Sequence, residues 1–441
     1  MATRMRRLTA AGLGFSLALL TSGCLQGDDG GGGGSGASDQ EAGDGRVTIL
    51  GAFGGQEQQA FEESLAAFED ESGIEIQYTG DQDFDTTIRT RTDAGDAPDI
   101  ALFPQPGGLL DIAEDGFITP VSDFMEVGDL EETLIPGFLE AATLDDTVYG
   151  APMRMAVKSI VWYPKKAYED AGYNTEPQTM EELDEVAQQI KSDGTAPWCV
   201  GWESDQATGW VGTDWLEEMV LRTAGPDVYD QWVAHEIPFD DPQIVEALDA
   251  AGEILKGDGM VLGGERAILN TGFADAMQPA FGSEPRCFLH RQGNFATGFY
   301  PDNIQQNLDD EIGTFVLPPI QDGFDGQPIL GGGDLAAMFN GEDEEAQEVF
   351  EFLVSDEFGA EWAQGGGWLS PHATFDTSNY ADETTRNIAT IAAESDVFRF
   401  DASDLMPANI GSGVFWTEMV RWIDGQDSET TLANIVEEWP S

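Results

Sequence analysis

Short apolar runs and amphipathic helical patterns alternate along most of this chain. Residues 46–53 (RVTILGAF) predict a buried strand, and residues 56–72 carry apolar side chains at helical spacing up to Gly73, which ends the helix. Further strands are predicted at 74–78 and 98–103, with a helical segment between them. This order predicts an α/β fold in which a parallel sheet carries helices on both faces.

A Pro-bounded apolar run at residues 156–163 is typical of a strand that crosses from one lobe to another, although an ordinary core strand of one domain would give the same pattern. Residues 314–319 form a second Pro-ended strand of this kind, and three glycines at 365–367 mark a third break. We therefore predict two lobes. The first comprises residues 46–155 and 319–366, and the second comprises residues 156–318 and 367–441.

The first 23 residues are typical of a lipoprotein signal peptide. A basic start is followed by an apolar region too short to span a membrane, and small residues lead into Cys24. Small residues directly before a cysteine resemble the lipobox of bacterial lipoproteins, in which the thiol is acylated, although Thr21 stands where leucine is usual. The adjacent Arg6 and Arg7 leave twin-arginine export open. Residues 24–45 then supply the lipid-anchor cysteine and a flexible tether rich in Gly, Asp and Ser.

The charge of the chain excludes several classes of partner. It has 83 Asp and Glu against 19 Lys and Arg, a formal net charge of −64. Such a surface repels nucleic acid and anionic lipid, so we expect no nucleic-acid partner and membrane contact only through the N-terminal lipid. Self-repulsion is relieved in molar salt, where the screening length falls to about 3 Å, which predicts a halophilic protein. The alternative is an acidic secreted protein without salt adaptation.

Two cysteines remain if Cys24 carries lipid. Cys199 and Cys287 most simply pair in an exported protein, closing a loop of about 90 residues that the entropy model values at about 4 kcal/mol. The alternative is two buried free thiols.

Signatures of enzymes are missing from the sequence. It contains no G-x-S-x-G, H-E-x-x-H, phosphate-loop or Cys-x-x-Cys motif. Asp81, Asp83 and Asp85 imitate the start of a calcium loop, but Thr86 replaces the glycine that the loop needs. We therefore expect no catalytic residue, no metal and no cofactor. A glycosidase carboxylate pair could still hide among so many acids, which leaves a secreted carbohydrate-active enzyme as an alternative.

Tryptophan is abundant, and many of the eleven indoles stand beside Gly, Asp or Pro in predicted loops. Trp210, Trp215, Trp368 and Trp416 are of this kind. A flat aromatic ring binds the apolar C–H face of a sugar, and carboxylate, amide or guanidinium groups bind its hydroxyls. These residues predict a carbohydrate site, unless they serve only to fill the core.

Several motifs together resemble the extracellular solute-binding proteins of ABC sugar importers, the group that includes maltose-binding protein. They are F-x-x-x-x-G-I (68–74), P-D-I-A (98–101), Y-G-A-P (149–152), V-W-Y-P-K-K-A-Y (161–168) and M-P-A-N-I-G-S-G-V-F-W (406–416). Other motifs are more similar to the α-glucoside-binding branch of that family. They are P-W-C-V-G (197–201), W-x-x-T-D-W (210–215), R-C-F-L-H-R-Q-G (286–293) and G-G-G-D (331–334).

The resemblance implies a type II periplasmic-binding-protein-like fold, with a mainly parallel sheet in each lobe, helices on both faces and hinge strands between the lobes. It implies that the lobes close over one ligand, which Gln56, Gln105, Arg154 and Asp334 contact from the first lobe and Trp210, Asp214 and Trp215 from the second. Trp416 would stack on a sugar ring. Phe281 stands where maltose-binding protein has a stacking tryptophan, and Trp368 lies beside the predicted third crossing. The Cys199–Cys287 pairing also fits the α-glucoside branch.

Taken together, these patterns predict a monomeric receptor, lipid-anchored at the extracellular face of the membrane, that delivers a sugar to the permease subunits of an ABC importer. An α-linked di- or oligosaccharide is the expected ligand. A receptor for a non-sugar solute such as glycerol phosphate is a further alternative, and a basic cleft would favour it.

Overall fold

The structure is a computed structural model, and it describes residues 43–135, 138–395 and 397–439. The predicted signal peptide, the lipidation at Cys24 and nearly all of the tether lie outside the described residues.

The elements follow one another in the α/β order that the sequence predicts. The strands are β1 (Arg46–Gly51), β2 (Glu75–Gly80), β3 (Ile100–Phe103), β4 (Thr143–Leu144), β5 (Thr147–Val148), β6 (Gly150–Val157), β7 (Ile160–Pro164), β8 (Ala196–Trp198), β9 (Cys287–Arg291), β10 (Ile312–Val316), β11 (Ile329–Met338) and β12 (Phe398–Phe400). The helices are α1 (Gly55–Ser72), α2 (Phe84–Ala94), α3 (Pro106–Glu114), α4 (Val127–Thr133), α5 (Lys165–Asp170), α6 (Met180–Ser192), α7 (Trp210–Thr223), α8 (Pro226–Val233), α9 (Pro242–Leu255), α10 (Glu265–Ile268), α11 (Asp302–Gln305), α12 (Leu308–Glu311), α13 (Glu344–Leu353), α14 (Ala360–Gly365), α15 (Glu383–Glu394), α16 (Ala402–Leu405), α17 (Trp416–Ile423) and α18 (Ser428–Glu438).

The larger sheet has the order β12-β11-β3-β1-β2, and β6 also pairs with β11. Strand β1 runs parallel to β2 and β3, and β11 runs parallel to β12 but antiparallel to β3 and β6. Every residue of β3 is buried, because helices cover both faces of the sheet. This sheet therefore agrees with the predicted mainly parallel architecture.

The smaller sheet, in the order β10-β7-β9-β8, departs from that prediction. Strand β7 is antiparallel to both β10 and β9, and only β8 and β9 are parallel. The reason is that β7 enters this sheet from the larger one whereas β10 leads back to it, so neighbouring strands run in opposite directions. The prediction of a mainly parallel second sheet was wrong.

Within the described residues, the chain crosses between the two sheets at three places. The first crossing is Lys158-Ser159, so the predicted strand 156–163 is in fact the end of β6 and the start of β7. The second, residues 317–328 between β10 and β11, agrees with the predicted Pro-ended strand. The third follows β12 at Asp401, where the chain leaves the larger sheet and enters α16.

The third crossing was predicted at the glycines 365–367, and the structure places it later. Residues between Trp368 and Phe400, assigned to the second lobe from the sequence, pack in the core of the larger sheet, and β12 pairs with β11 there. Gly366 and Gly367 have φ values of +89° and +82°, which shape the turn after α14 rather than a crossing.

Cys199 and Cys287 form a disulfide, with their Cα atoms 5.4 Å apart, which confirms the predicted pairing over the alternative of free thiols. The bond joins the start of β9 to the residue that follows β8. Among the described residues, no helix has the length and apolar character needed to cross a bilayer.

Candidate ligand-binding cleft

A cavity of about 1000 Å³ lies between the two cores. Its first wall comes from the larger sheet, at the carboxyl ends of β1, β2 and β3, where ligands of open α/β sheets bind. Ala52 and Phe53 follow β1, residues 82–86 follow β2, and Pro104 and Gln105 follow β3. The volume lies at the upper end of the range usual for small-molecule sites.

Arg154 holds a chain of ion pairs on the floor of the cleft. It lies on β6 opposite Asp334 of β11. Its Nε donates to Asp334 Oδ2 at 2.6 Å, and its Nη1 donates to Glu57 Oε1 at 2.5 Å. The guanidinium also lies 4.6 Å from the centre of the Phe53 ring. Burial raises the pKa of Asp334, although Arg154 opposes this shift. The arrangement fixes two carboxylates whose remaining lone pairs can accept hydrogen bonds from ligand hydroxyls.

The second wall is aromatic. The cleft is lined there by Trp210, Phe273, Phe295, Phe299 and Trp416. Trp210 meets Phe273 edge-to-face at 5.3 Å, and its indole Nε1 donates to Ser204 Oγ at 3.0 Å, which fixes the ring plane. Trp416 begins α17, and its indole N–H has no hydrogen-bond partner among the described residues. This N–H is buried, so the part of Trp416 that lines the cavity is its ring rather than its indole nitrogen.

Lys158 and Asp404 complete the floor, where the first and third crossings meet. Lys158 Nζ lies 2.5 Å from Asp401 Oδ2, 3.1 Å from Asp214 Oδ1 and 3.8 Å from Asp404 Oδ2. Of these four side chains, only Lys158 and Asp404 line the cavity. Burial, followed by the charge on Asp401, raises the pKa of Asp404 well above its ordinary value. Gln105 lines the same cavity and opposes this rise in the pKa of Asp404.

The cleft is strongly acidic. Eight carboxylates line it, those of Glu57, Asp83, Asp85, Asp111, Glu114, Asp115, Asp334 and Asp404. The lining cations are Arg89, Arg154 and Lys158. Because the negative groups outnumber the positive ones, the field in the cleft repels anionic ligands.

Five of the residues predicted to bind ligand are brought together on the walls of this cavity. They are Gln105, Arg154, Trp210, Asp334 and Trp416. Their contact with a ligand stays a prediction, and their shared location is what that prediction requires.

Two other predicted residues lie on α7 but away from the cavity. Asp214 is fully buried behind Lys158, where its carboxylate also accepts from both terminal nitrogens of Arg291. Trp215 follows Trp210 by five positions and is turned into the second core, where it meets Trp198 at 5.5 Å.

Gln56, Phe281 and Trp368 are also outside this cavity. Gln56 is exposed on α1 and lines a smaller cavity of about 180 Å³. Phe281 packs against Tyr300 at 5.2 Å, and Trp368 is buried in the first core. Their positions do not support the predicted ligand contacts.

The ligand-binding residues predicted from the sequence did not include Glu57, Lys158 or Asp404, nor the phenylalanines of the second wall. Glu57 stands one residue beyond the predicted Gln56, on the inner face of α1. Lys158 carried a recognisable signal, because it interrupts an otherwise apolar run in a chain that has few lysines. No local pattern distinguishes Asp404 from the many other acids.

Residues 54–360 match the family described as "Bacterial extracellular solute-binding protein". The chain belongs to this family. A curated relative from Synechocystis sp., the osmoprotective compounds-binding protein GgtB, is 43% identical over 395 residues, which are 90% of this chain and 92% of GgtB. The α-glucosides-binding periplasmic protein AglE of Rhizobium meliloti is 34% identical over 407 residues, 90% of this chain and 87% of AglE.

Solved structures of solute receptors share the fold of this family member. The bacterial receptor AcbH superimposes with a TM-score of 0.76 at 18% identity, covering 90% of this chain and 98% of AcbH. The raffinose complex of RafE gives a TM-score of 0.70 at 18% identity, covering 89% of this chain and 98% of RafE. The predicted two-lobed, periplasmic-binding-protein-like α/β fold is thus confirmed. As predicted, the family comprises binding proteins and not enzymes.

Proposed function

We propose that this solute-binding protein is the sugar receptor of an ABC importer, and that its ligand is an uncharged α-glucoside of di- or oligosaccharide size or a smaller glucoside used as an osmoprotectant. The observation that carries the proposal is the cleft itself, in which an aromatic wall faces a floor of fixed carboxylate, guanidinium and ammonium groups. Relatives named for osmoprotective compounds and for α-glucosides support the ligand class.

The chemistry of the two walls suits a sugar ring. Trp416 and Trp210 offer aromatic faces for the C–H side of a pyranose. Glu57, Arg154 and Asp334 present acceptors and donors for hydroxyls in fixed directions. No bond of the ligand is broken, and the free energy of binding favours the closed lobes over the open ones.

The charge of the cleft opposes an anionic ligand. A glycerol phosphate receptor needs cations that are free to meet the phosphate, but Arg154 and Lys158 are both already paired with carboxylates. We therefore place an uncharged glucoside ahead of that alternative.

The setting of the receptor is also part of the proposal. A signal peptide, an acylated Cys24 and the tether would hold a monomer at the extracellular face of the membrane, within reach of the permease. The net charge of −64 favours a salt-rich exterior.

A thermal-shift screen tests the proposal. The protein without its first 42 residues is held at high salt with trehalose, maltose, sucrose, α-glucosylglycerol or glycerol phosphate. Ligand at 100 times its dissociation constant stabilises the fold by about 2.7 kcal/mol, so we expect a clear rise in melting temperature with at least one glucoside.

Trp416→Ala should remove that shift, because it deletes the stacking surface at the cleft. Trp439→Ala is the matched control, because Trp439 stacks on His235 and does not line the cavity. A folded wild-type protein that responds to glycerol phosphate alone would contradict the proposal.

A further inference from the structure

One buried helix, α7, contacts all three crossings. At the first, Asp214 Oδ1 accepts from Lys158 Nζ at 3.1 Å, and Glu218 Oε2 accepts from Ser159 Oγ at 3.0 Å. At the second, Arg222 Nε donates to the carbonyl of Pro318 at 2.9 Å. The third is reached through Glu217.

At the third crossing, Glu217 Oε1 accepts from the backbone N–H of Ser403 at 3.1 Å. The hinge between the lobes is therefore a polar network rather than a set of free strands. Its members are Lys158, Ser159, Asp214, Glu217, Glu218, Arg222, Arg291, Asp401, Ser403 and Asp404, and we call them the hinge network.

The hinge network holds more carboxyl groups than cations, and burial raises the pKa of Glu217 and of Asp404 well above their ordinary values. It holds five carboxylates against the three cations Lys158, Arg222 and Arg291, and all of these groups are buried. Lys158 and Asp404 are the members that also line the ligand cleft. They lie on different crossings, the first and the third. A ligand group that contacts both side chains would therefore link two segments of the hinge.

The Lys158 ammonium has three N–H donors, and its two close carboxylates, Asp401 and Asp214, account for two of them. The third carboxylate, Asp404, is 3.8 Å away, beyond hydrogen-bond distance. An oxygen placed about 2.8 Å from both atoms would fit between them. A hydroxyl matches this gap, because it can accept from the ammonium and donate to an oxygen of the Asp404 carboxyl group at once.

We propose that Lys158 and Asp404 bind one hydroxyl of the ligand between them at the cleft floor, and that this bridge ties the first crossing to the third. The inference rests on the proposed function, because it requires a hydroxylated ligand. The Lys158–Asp401 ion pair already joins the first crossing to the third, and the occupied bridge adds a second link between them.

Monodeoxy ligands test the bridge. Isothermal titration measures wild-type protein, Asp404→Ala and Asp404→Asn with the tightest binder among trehalose, maltose, sucrose and α-glucosylglycerol, and with its monodeoxy forms at each glucosyl hydroxyl. For wild type, one deoxy form should bind at least about tenfold more weakly than the parent, because it leaves the buried pair unsatisfied. Asp404→Ala should bind the parent about tenfold more weakly and should lose most of that deoxy penalty. Asp404→Asn, which keeps an acceptor, should fall between them.

Glu217→Gln is the matched control, because Glu217 belongs to the hinge network but does not line the cleft. It should keep the full deoxy penalty. A deoxy profile that is the same in wild type and Asp404→Ala would overturn the inference while leaving the proposed function intact. Failure of all four glucosides to bind folded wild-type protein would overturn both.

Discussion

Two adjacent carboxyl groups on α7 are buried but have different hydrogen-bond and ion-pair partners. Glu217 and Glu218 are both fully buried. Glu218 is ion-paired with Arg222 and accepts from Ser159 Oγ. Glu217 accepts only from the backbone of Ser403, and its Oε2 has no partner among the described residues. Burial, followed by the charges of Asp401 and Asp214, raises the pKa of Glu217 well above its ordinary value of 4.5.

These environments predict opposite effects of two conservative changes. Folded Glu217 holds a proton that the unfolded chain releases above pH 4.5, so its contribution to stability is complete below that pH and is lost as the pH rises towards the raised pKa. Glu217→Gln mimics the protonated form, so at pH 8 it should raise the free energy of unfolding by about 1–3 kcal/mol. The free energy of unfolding of this variant should also decrease less between pH 5 and pH 8 than that of wild type. Glu218→Gln should lower the free energy of unfolding by about 3–5 kcal/mol, because Arg222 loses its buried partner.

Urea unfolding at constant high salt, repeated between pH 5 and pH 8, measures both effects. Equal destabilisation by the two changes at pH 8 would show that Glu217 is ionised in the folded protein.

Residue identity alone predicted only part of the cleft. Arg154 and Asp334 were found because their motifs resemble a known family, and the structure places them opposite each other on β6 and β11. Trp215 carries the same kind of motif, yet it points into the core, since a shift of a few positions along a helix changes the face on which a side chain lies. The position of Asp404 in the cleft depends on how segments that are distant in the sequence pack together, and no local sequence pattern indicates it.

At the scale of elements, apolar runs and their breaks predicted the first three strands and the strands at the first two crossings, but not their partners. The run at residues 46–53 is the buried strand β1, because a strand covered on both faces reads as continuous hydrophobic sequence. The third crossing was misplaced because glycines mark any sharp turn, whether or not the chain changes lobes. The direction of β7 relative to β9 is a property of the whole topology and could not be read from either segment.

The Cys199–Cys287 bond belongs to this scale, since it links β9 to the segment after β8 across a sequence separation of 88 residues. Replacing both cysteines by serine should lower the free energy of unfolding by about 4 kcal/mol, because the unfolded chain gains the freedom of the opened loop. Ligand affinity should stay within about twofold of wild type, because neither cysteine lines the cleft.

Thermal unfolding and titration of oxidised protein and the double serine variant measure the two quantities. A variant as stable as wild type would mean that the parallel pairing of β8 with β9 alone holds this edge of the sheet.

At the scale of the whole molecule, net charge is the dominant feature. At −64 the acidic groups repel one another in the folded state more strongly than in the expanded unfolded chain. The screening length is about 10 Å at 0.1 M salt and about 3 Å at 1 M, so added salt removes this repulsion from the folded state preferentially. We expect the melting temperature to rise steeply with NaCl up to about 1 M and more slowly beyond.

Two comparisons separate screening from a general strengthening of hydrophobic burial. Screening depends on ionic strength, so NaCl and KCl should act alike, whereas sulfate at the same ionic strength should add a further rise through its exclusion from the protein surface. A further variant replaces four exposed acids of α1 by their amides, namely Glu62, Glu63, Asp70 and Glu71. This change should reduce the rise of the melting temperature with NaCl below 1 M and leave the additional rise in sulfate unchanged. A melting temperature that is independent of NaCl between 0.1 M and 3 M would contradict the halophilic interpretation, since the uncompensated charge would then be harmless to the fold.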